Sequence, residues 1–202
     1  MRPLPPDRLD RGDLVARWMR PTDVEALVDA ARSSFDELHA WMPWATDLDQ
    51  MTVEAITGFY ERTQVEMTEH RSAAYVLTVP PDERPVGVVG AHARIDEGGV
   101  EIGYWVRTDT VGRGLVTRTV SALTDALLAL PDVDHVEIHC DQTNARSAAV
   151  PRRLGYELVE IRDRAPQASA ETGREMIWRR TEPIGPGERP AATTSAARGE
   201  PA

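Results

Sequence analysis

Apolar residues recur along this chain with two different periods, and the switches between them mark its elements. Leu14 to Trp18 reads as a first strand. Ala26, Leu27, Ala30 and Ala31 then fall at helical spacing behind Thr22-Asp-Val-Glu25, a capping-box pattern, which predicts a helix to about Ser33. Phe35, Leu38 and Trp41 stand three apart and predict a short second helix. It must stop before Pro43, because the residue preceding a proline disfavours the helical region. From Thr52 to about Glu69 the pattern is polar, with Ile56, Phe59, Tyr60 and Thr63 on one side, as in a helix with a single buried stripe.

Shorter apolar runs follow. Ala73 to Val79 and Val86 to Arg94 predict a hairpin around Pro80-Pro-Asp-Glu-Arg-Pro85, whose prolines are expected to stay out of the ladder. Asp96-Glu-Gly-Gly99 turns the chain into a third antiparallel strand ending at Val106, and Val120, Leu123, Leu127 and Leu130 mark a long helix. His135 to Cys140 is a short strand and Asn144 to Leu154 a helix, with Tyr156 to Arg164 and Met176 to Arg180 as closing strands. Pro151 lies inside that helix, lacks an N–H for the carbonyl of Ser147, and predicts a kink. The fold class expected is α+β: a mixed, mostly antiparallel central sheet of six to seven strands flanked by about four helices.

At 202 residues, one domain is expected. Its bounds are set at 13–181. Residues 1–12 are rich in proline and charge and read as a loose lead-in, and 182–202, with Ile184 as the one large apolar residue, reads as a disordered tail.

Between the strand ending at Val106 and the long helix stands Asp109-Thr-Val-Gly112-Arg-Gly114-Leu-Val-Thr117. Strand, glycine turn, helix is an order that suits an anion. A helix start leaves up to four N–H groups unpaired and carries partial positive charge, and Gly112 and Gly114 permit φ > 0 and close backbone approach. Such glycine pairs are also found in plain turns. Local charge favours the ligand: the chain's net charge is −10, yet residues 107–118 hold three arginines against Asp109. The run lacks the Gly-Lys-Ser/Thr of a P-loop, and Thr117 stands where a dinucleotide fingerprint needs Gly or Ala.

This stretch resembles the pyrophosphate-binding motif of the GCN5-related N-acetyltransferases (GNAT), Gln/Arg-x-x-Gly-x-Gly/Ala, with Gly112 and Gly114 at its glycine positions. Glu101 to Val106 (EIGYWV) resembles the strand before that motif, and Asn144-Ala-Arg-Ser147 leading to Leu154-Gly-Tyr156 resembles the family's Asn-x-x-Ser helix and its ending. Trp41-Met-Pro-Trp44 is similar to the RimJ/RimL branch, which acetylates protein amino termini and includes relatives acting on small amines. The resemblance spans about residues 13–181.

It implies acetyl-CoA as co-substrate, no metal, and acetyl transfer to a primary amine. CoA is expected on Tyr104, Trp105, Val106, on Val111, Gly112, Arg113, Gly114, Leu115, Val116 and Thr117, and on Asn144 and Ser147; Asn144 is also a natural N-cap. Trp41, Trp44 and Glu101 are expected around the acceptor, although a tryptophan pair beside a proline also suits a core. Glu101 is the candidate base, with a solvated edge carboxylate or an amine anchor as the other readings. Ser147 is the candidate hydrogen-bond donor to the thiol sulfur, with a hydroxyl bonded back to its own turn as the other. Strand alternation puts Glu101, Gly103 and Trp105 on one face and Ile102, Tyr104 and Val106 on the other.

Three departures from the family's pattern, at Asp109, Arg118 and Pro151, stand out, and two of them bear directly on chemistry. Many relatives carry a tyrosine acid where Pro151 stands, so the acid/base relay suited to lysine is missing; an α-amine, with reference pKa about 7.7 to 8.0 against about 10.4 for lysine, needs less help at neutral pH. Asp109 replaces the family's Gln or Arg and would weaken CoA binding unless it points away. These departures keep open an acyl-CoA sensor or partner protein that has lost turnover, and an enzyme using another acyl group such as succinyl.

Composition narrows the partners. A pI of about 5.0 argues against nucleic acid and suits a basic or amine substrate. Cys140 is the single cysteine, which excludes an internal disulfide and makes a cytoplasmic setting the expectation. His139-Cys-Asp141 offers too few ligands on one face for a metal. No apolar stretch approaches the ~18 to 20 residues that span a bilayer, so no membrane partner is expected. A homodimer is carried as an open expectation.

Overall fold

The short apolar runs become strands and the long amphipathic ones helices across residues 4–12, 14–79 and 83–185, the part the computed structural model describes. In chain order these are β1 (Arg8–Asp10), β2 (Val15–Trp18), α1 (Val24–Arg32), α2 (Phe35–Trp41), α3 (Val53–Thr68), β3 (Ser72–Val79), β4 (Arg84–His92), β5 (Gly99–Val106), α4 (Leu115–Leu128), β6 (His135–Asp141), α5 (Ala145–Arg153), β7 (Glu157–Asp163) and β8 (Arg174–Arg180). The described strands make one sheet in the order β1-β2-β3-β4-β5-β6-β8-β7. The class is the expected mixed α/β one. Its eight strands and five α-helices exceed the six to seven and about four expected, partly because β1 lies in the supposed lead-in.

β1 pairs antiparallel with β2, and the Tyr75 hydroxyl donates to the carbonyl of Pro6 at 2.6 Å. Residues 4–12 are therefore tied to the sheet. The chain after Thr181 is corrected in the same way: Ile184 is 5% exposed, and its N–H donates to Asp125 Oδ1 at 2.6 Å. Residues 186–202 lie outside the described part.

At the start of α1 the expected Thr22 cap is replaced. A 3₁₀ turn over Pro21–Asp23 comes first, and buried Asp23 accepts from the Arg20 N–H while pairing through both oxygens with Arg17 at 2.7 and 2.8 Å. Pro85 does enter the β3–β4 register, opposite Thr78, beside a shift between Leu77 and Thr78. The irregularity explains its tolerance, since proline is accepted at bulges.

All described strand pairs are antiparallel except β5 with β6, which run parallel and pair only from Gly99↔His135 to Glu101↔Glu137. Beyond Glu101 the two strands part. One face of the sheet carries the main core, where Tyr75, Val89, Ile102 and Ile138 pack under Leu123 and Leu127 of α4 and Ala148 and Val150 of α5. On the other face Ala74, Val76 and Val88 meet Leu27 of α1 and Ile56 of α3. The gap between β5 and β6 is thus flanked by α4 and α5 on the first face.

Candidate active site

Within β5 the first four residues are buried and the last four only partly so. That change coincides with the loss of β6 as a partner, which leaves the later edge of β5 facing a cavity of about 880 Å³. Tyr104, Trp105 and Val106, the run from Val111 to Thr117, and Asn144 and Ser147 all line this cavity. Gly112 and Gly114 have φ of +84° and +71°, and Gly114 is the N-cap of the 14-residue helix α4. A side chain is disfavoured at both positions whatever the space, and the helix start aims its free N–H groups at the cavity.

Arg113, Arg118, Arg146 and Arg153 add positive charge to the rim, with Glu37 as the acidic residue among the lining groups. The last three arginines were not among the expected site residues. Only their arginine type signalled them, because nothing local to a helix face says which residues will meet a cleft built by other elements. Asp109 does not line the cavity; Arg107 holds both its oxygens at 3.0 Å and also binds Asp29. The carboxylate that threatened anion binding is turned away and neutralised.

Asn144 caps α5 by accepting the Ser147 N–H at 3.0 Å. Pro151 leaves the Ser147 carbonyl without its helical donor, and the Tyr104 hydroxyl supplies one from across the cavity at 3.0 Å. The same hydroxyl lies 3.1 Å from Ser147 Oγ. With the tyrosine proton committed to the carbonyl, the serine hydroxyl is left as the donor. Burial pushes the Tyr104 phenol well above its usual range, so it stays protonated. Burial also pushes the neighbouring Cys140 thiol up to about 11, against hydrogen bonds to Ser147 and Trp178 that lower it.

The opposite face of β5 is built from charge. Glu101 is 9% exposed and does not line the cavity; Arg94 binds both its oxygens at 2.7 and 2.8 Å. Burial alone would raise its pKa, but the Arg94 contacts outweigh it and hold the carboxyl below its usual value. His139 Nε2 lies 2.6 Å from Glu137, which Arg179 also binds, and His139 Nδ1 lies 4.0 Å from Glu101. Trp41 lines the cavity, whereas Trp44 does not; its ring sits 5.9 Å from that of Trp105, which does. The alternation expected of β5 holds: Ile102, Tyr104 and Val106 face the main core, and Trp105 faces α1 and α3. Among the described residues no group of three or more His, Cys, Asp or Glu is placed to hold a metal ion.

Residues 13–157 match the acetyltransferase (GNAT) domain family. The chain belongs to that family. Similar solved structures include Mycobacterium smegmatis RimJ in complex with a CoA disulfide, 19% identical over 83% of this chain and 81% of that one, with a TM-score of 0.76. The RimL ribosomal L7/L12 alpha-N-protein acetyltransferase, in complex with coenzyme A, is 19% identical over 87% and 97%, TM-score 0.77. The microcin C7 self-immunity acetyltransferase MccE, in complex with acetyl-CoA and AMP, is 17% identical over 85% and 94%, TM-score 0.77. Among curated proteins none matches. As a GNAT domain of RimJ/RimL-like fold, the chain is by class an N-acetyltransferase.

Proposed function

We propose that this protein moves the acetyl group of acetyl-CoA to a low-pKa primary amine, a protein or peptide amino terminus or a small amine, across the gap between β5 and β6. The observation that carries this reading is the parting of β5 from β6 after Glu101, with the Ser147 hydroxyl on one side of the opening and ionised Glu101 on the other.

Backbone from Val111 to Thr117 would hold the pyrophosphate, and the arginine rim the remaining phosphate. Tyr104, Trp105 and Val106 would lie along the pantetheine arm. Ser147 would donate to the departing sulfur, which at a thiol reference pKa near 8.5 needs no stronger acid. Glu101, ionised and held by Arg94, suits an anchor for the acceptor's ammonium better than a base, because a depressed pKa weakens proton abstraction. Trp41 and Trp44 would wall the acceptor's path.

The decisive experiment measures thioester consumption with acetyl-CoA, and with succinyl-CoA as the rival donor, against amino-terminal peptides, lysine peptides and small amines. Faster turnover of amino-terminal peptides or small amines than of matched lysine peptides is expected. CoA binding without turnover of any amine would replace this reading with that of a sensor. A cytoplasmic setting accords with a lone, buried cysteine. An acidic chain accords with an amine partner in place of nucleic acid. A homodimer belongs to the same proposal: β7 is an exposed edge strand carrying Leu158, Val159 and Ile161, and sedimentation of the full chain tests it.

A further inference from the structure

One glycine on the acceptor face of the sheet makes room for a single ring, and a second lies beneath its edge. His92 ends β4 opposite Glu101, and Gly90 pairs with Gly103 two positions along. A Cβ on Gly90 would come within 2.5 Å of His92 Nε2, and one on Gly103 within 4.0 Å. The imidazole therefore lies along its own strand and over β5, toward the residues where β5 has lost β6. Its other nitrogen is fixed, since Ser72 Oγ on β3 sits 2.9 Å from Nδ1. Among the described residues Nε2 has no hydrogen-bond partner.

We infer that His92, oriented by Ser72 and seated over Gly90 and Gly103, is the base that takes the proton from the acceptor's ammonium. This rests on the acetyltransferase reading above and assigns the base within it. Glu101 beside it is committed to Arg94. Burial, followed by the positive charge of Arg94, holds the imidazole below its ordinary pKa, against Glu101 and Glu66 of α3, which raise it. On β6, His139 and Glu137 stand behind Glu101. His92 is thus neutral at neutral pH, as a base must be.

The protons balance. Nε2 accepts one proton from the ammonium, and the freed lone pair attacks the thioester carbonyl carbon. As the C–N bond forms and the C–S bond breaks, the sulfur leaves with its electron pair, and a second nitrogen proton ends on it through the Ser147 hydroxyl. His92 returns the first proton to solvent. The products are the amide, free CoA and one proton.

The test compares wild type, His92→Ala and His92→Gln in kcat from pH 6 to 9.5 on an amino-terminal peptide, with CoA affinity by calorimetry and the His92 ring titrated by NMR in the ligand-free protein. Both variants are expected to keep CoA affinity, to lose about 10²-fold in kcat at pH 7, and to approach wild type at high pH, where the amine is already neutral. Added imidazole should restore part of the His92→Ala rate, and the wild-type ring should titrate below the ordinary histidine value. A His92→Ala rate within about threefold of wild type at pH 7 would overturn the assignment. So would a loss that is equal at every pH and insensitive to imidazole, or a ring that titrates above the ordinary value. Wild type that binds CoA and acetylates no amine would sink the enzyme reading itself, an outcome separate from an active wild type with an equally active His92→Ala.

Discussion

The two faces of β5 are made of the same strand by different means. The face of Ile102, Tyr104 and Val106 looks onto backbone: two left-handed glycines, a helix start, and a hydroxyl pair on Ser147. The face of Glu101, Gly103 and Trp105 looks onto side chains from separate elements, His92 at the end of β4, Arg94 in the connection after it, Glu137 and His139 from β6, and Arg179 from β8. Backbone sites recognise a chemical group that never changes, while side-chain sites can be respecified by substitution. On the function proposed above, the coenzyme belongs on the first kind and the acceptor on the second.

The largest test of this contrast removes the donor to sulfur. Ser147→Ala should lower kcat about 10²-fold with little change in CoA affinity, the low end for loss of a proton donor, and Tyr104→Phe should cost less because it touches only the carbonyl and the serine. Equal losses in a steady-state comparison would make Tyr104 the acid. Ending the chain after Thr181 should destabilise the coenzyme face through α4, by about 1.5 to 3 kcal/mol for the lost burial of Ile184, read as a drop of several degrees in Tm. An unchanged Tm would mean that Ile184 contributes nothing. Gly114→Val should weaken CoA roughly 10-fold in calorimetry, because a branched side chain blocks the backbone's approach and left-handed strain of ~1 to 2 kcal/mol drives the loop away from the conformation it now holds. Unchanged affinity would displace the pyrophosphate from this loop.

The smallest test sits on the other face. Glu101 is held below its usual carboxyl pKa, so its pairing stabilises the fold above that usual value and the contribution fades as pH falls through the lowered one. Arg94→Gln removes the cation and leaves burial, which raises the pKa. The variant should therefore lose about 1 kcal/mol at pH 7, discounted for the exposed arginine, and less at pH 4, where Glu101 can take a proton. Thermal melts that differ equally from wild type at both pH values would show that the pair carries no charge-dependent stability.

Much of the cavity's glycine-loop side was legible in the sequence because each determinant is local: the glycines sit directly before the start of α4, and the Asn144 cap directly before α5. The opposite face of β5 was not, since His92, Ser72 and Gly103 come together only once three strands are in register. The Tyr104 contact was half legible. Pro151 announces an orphaned carbonyl at Ser147, but only the fold shows which donor fills it. β1 was missed for a different reason: Arg8 and Asp10 of this edge strand are exposed, so the run lacks the apolar alternation that marks a half-buried strand.

The arginine rim also shapes how quickly a multiply charged ligand arrives. The chain as a whole carries −10 and repels such a ligand at long range, while Arg113, Arg118 and Arg153 attract it at close range and Arg146 is paired with Glu37 at 2.7 Å. At physiological ionic strength screening over about 8 Å hides most of the distant acidic surface and leaves the rim in view. Diluting the salt lengthens that reach and brings the repulsion back. The association rate should accordingly show a weak or even inverted dependence on ionic strength, unlike the steep rise at low salt of a uniformly basic protein.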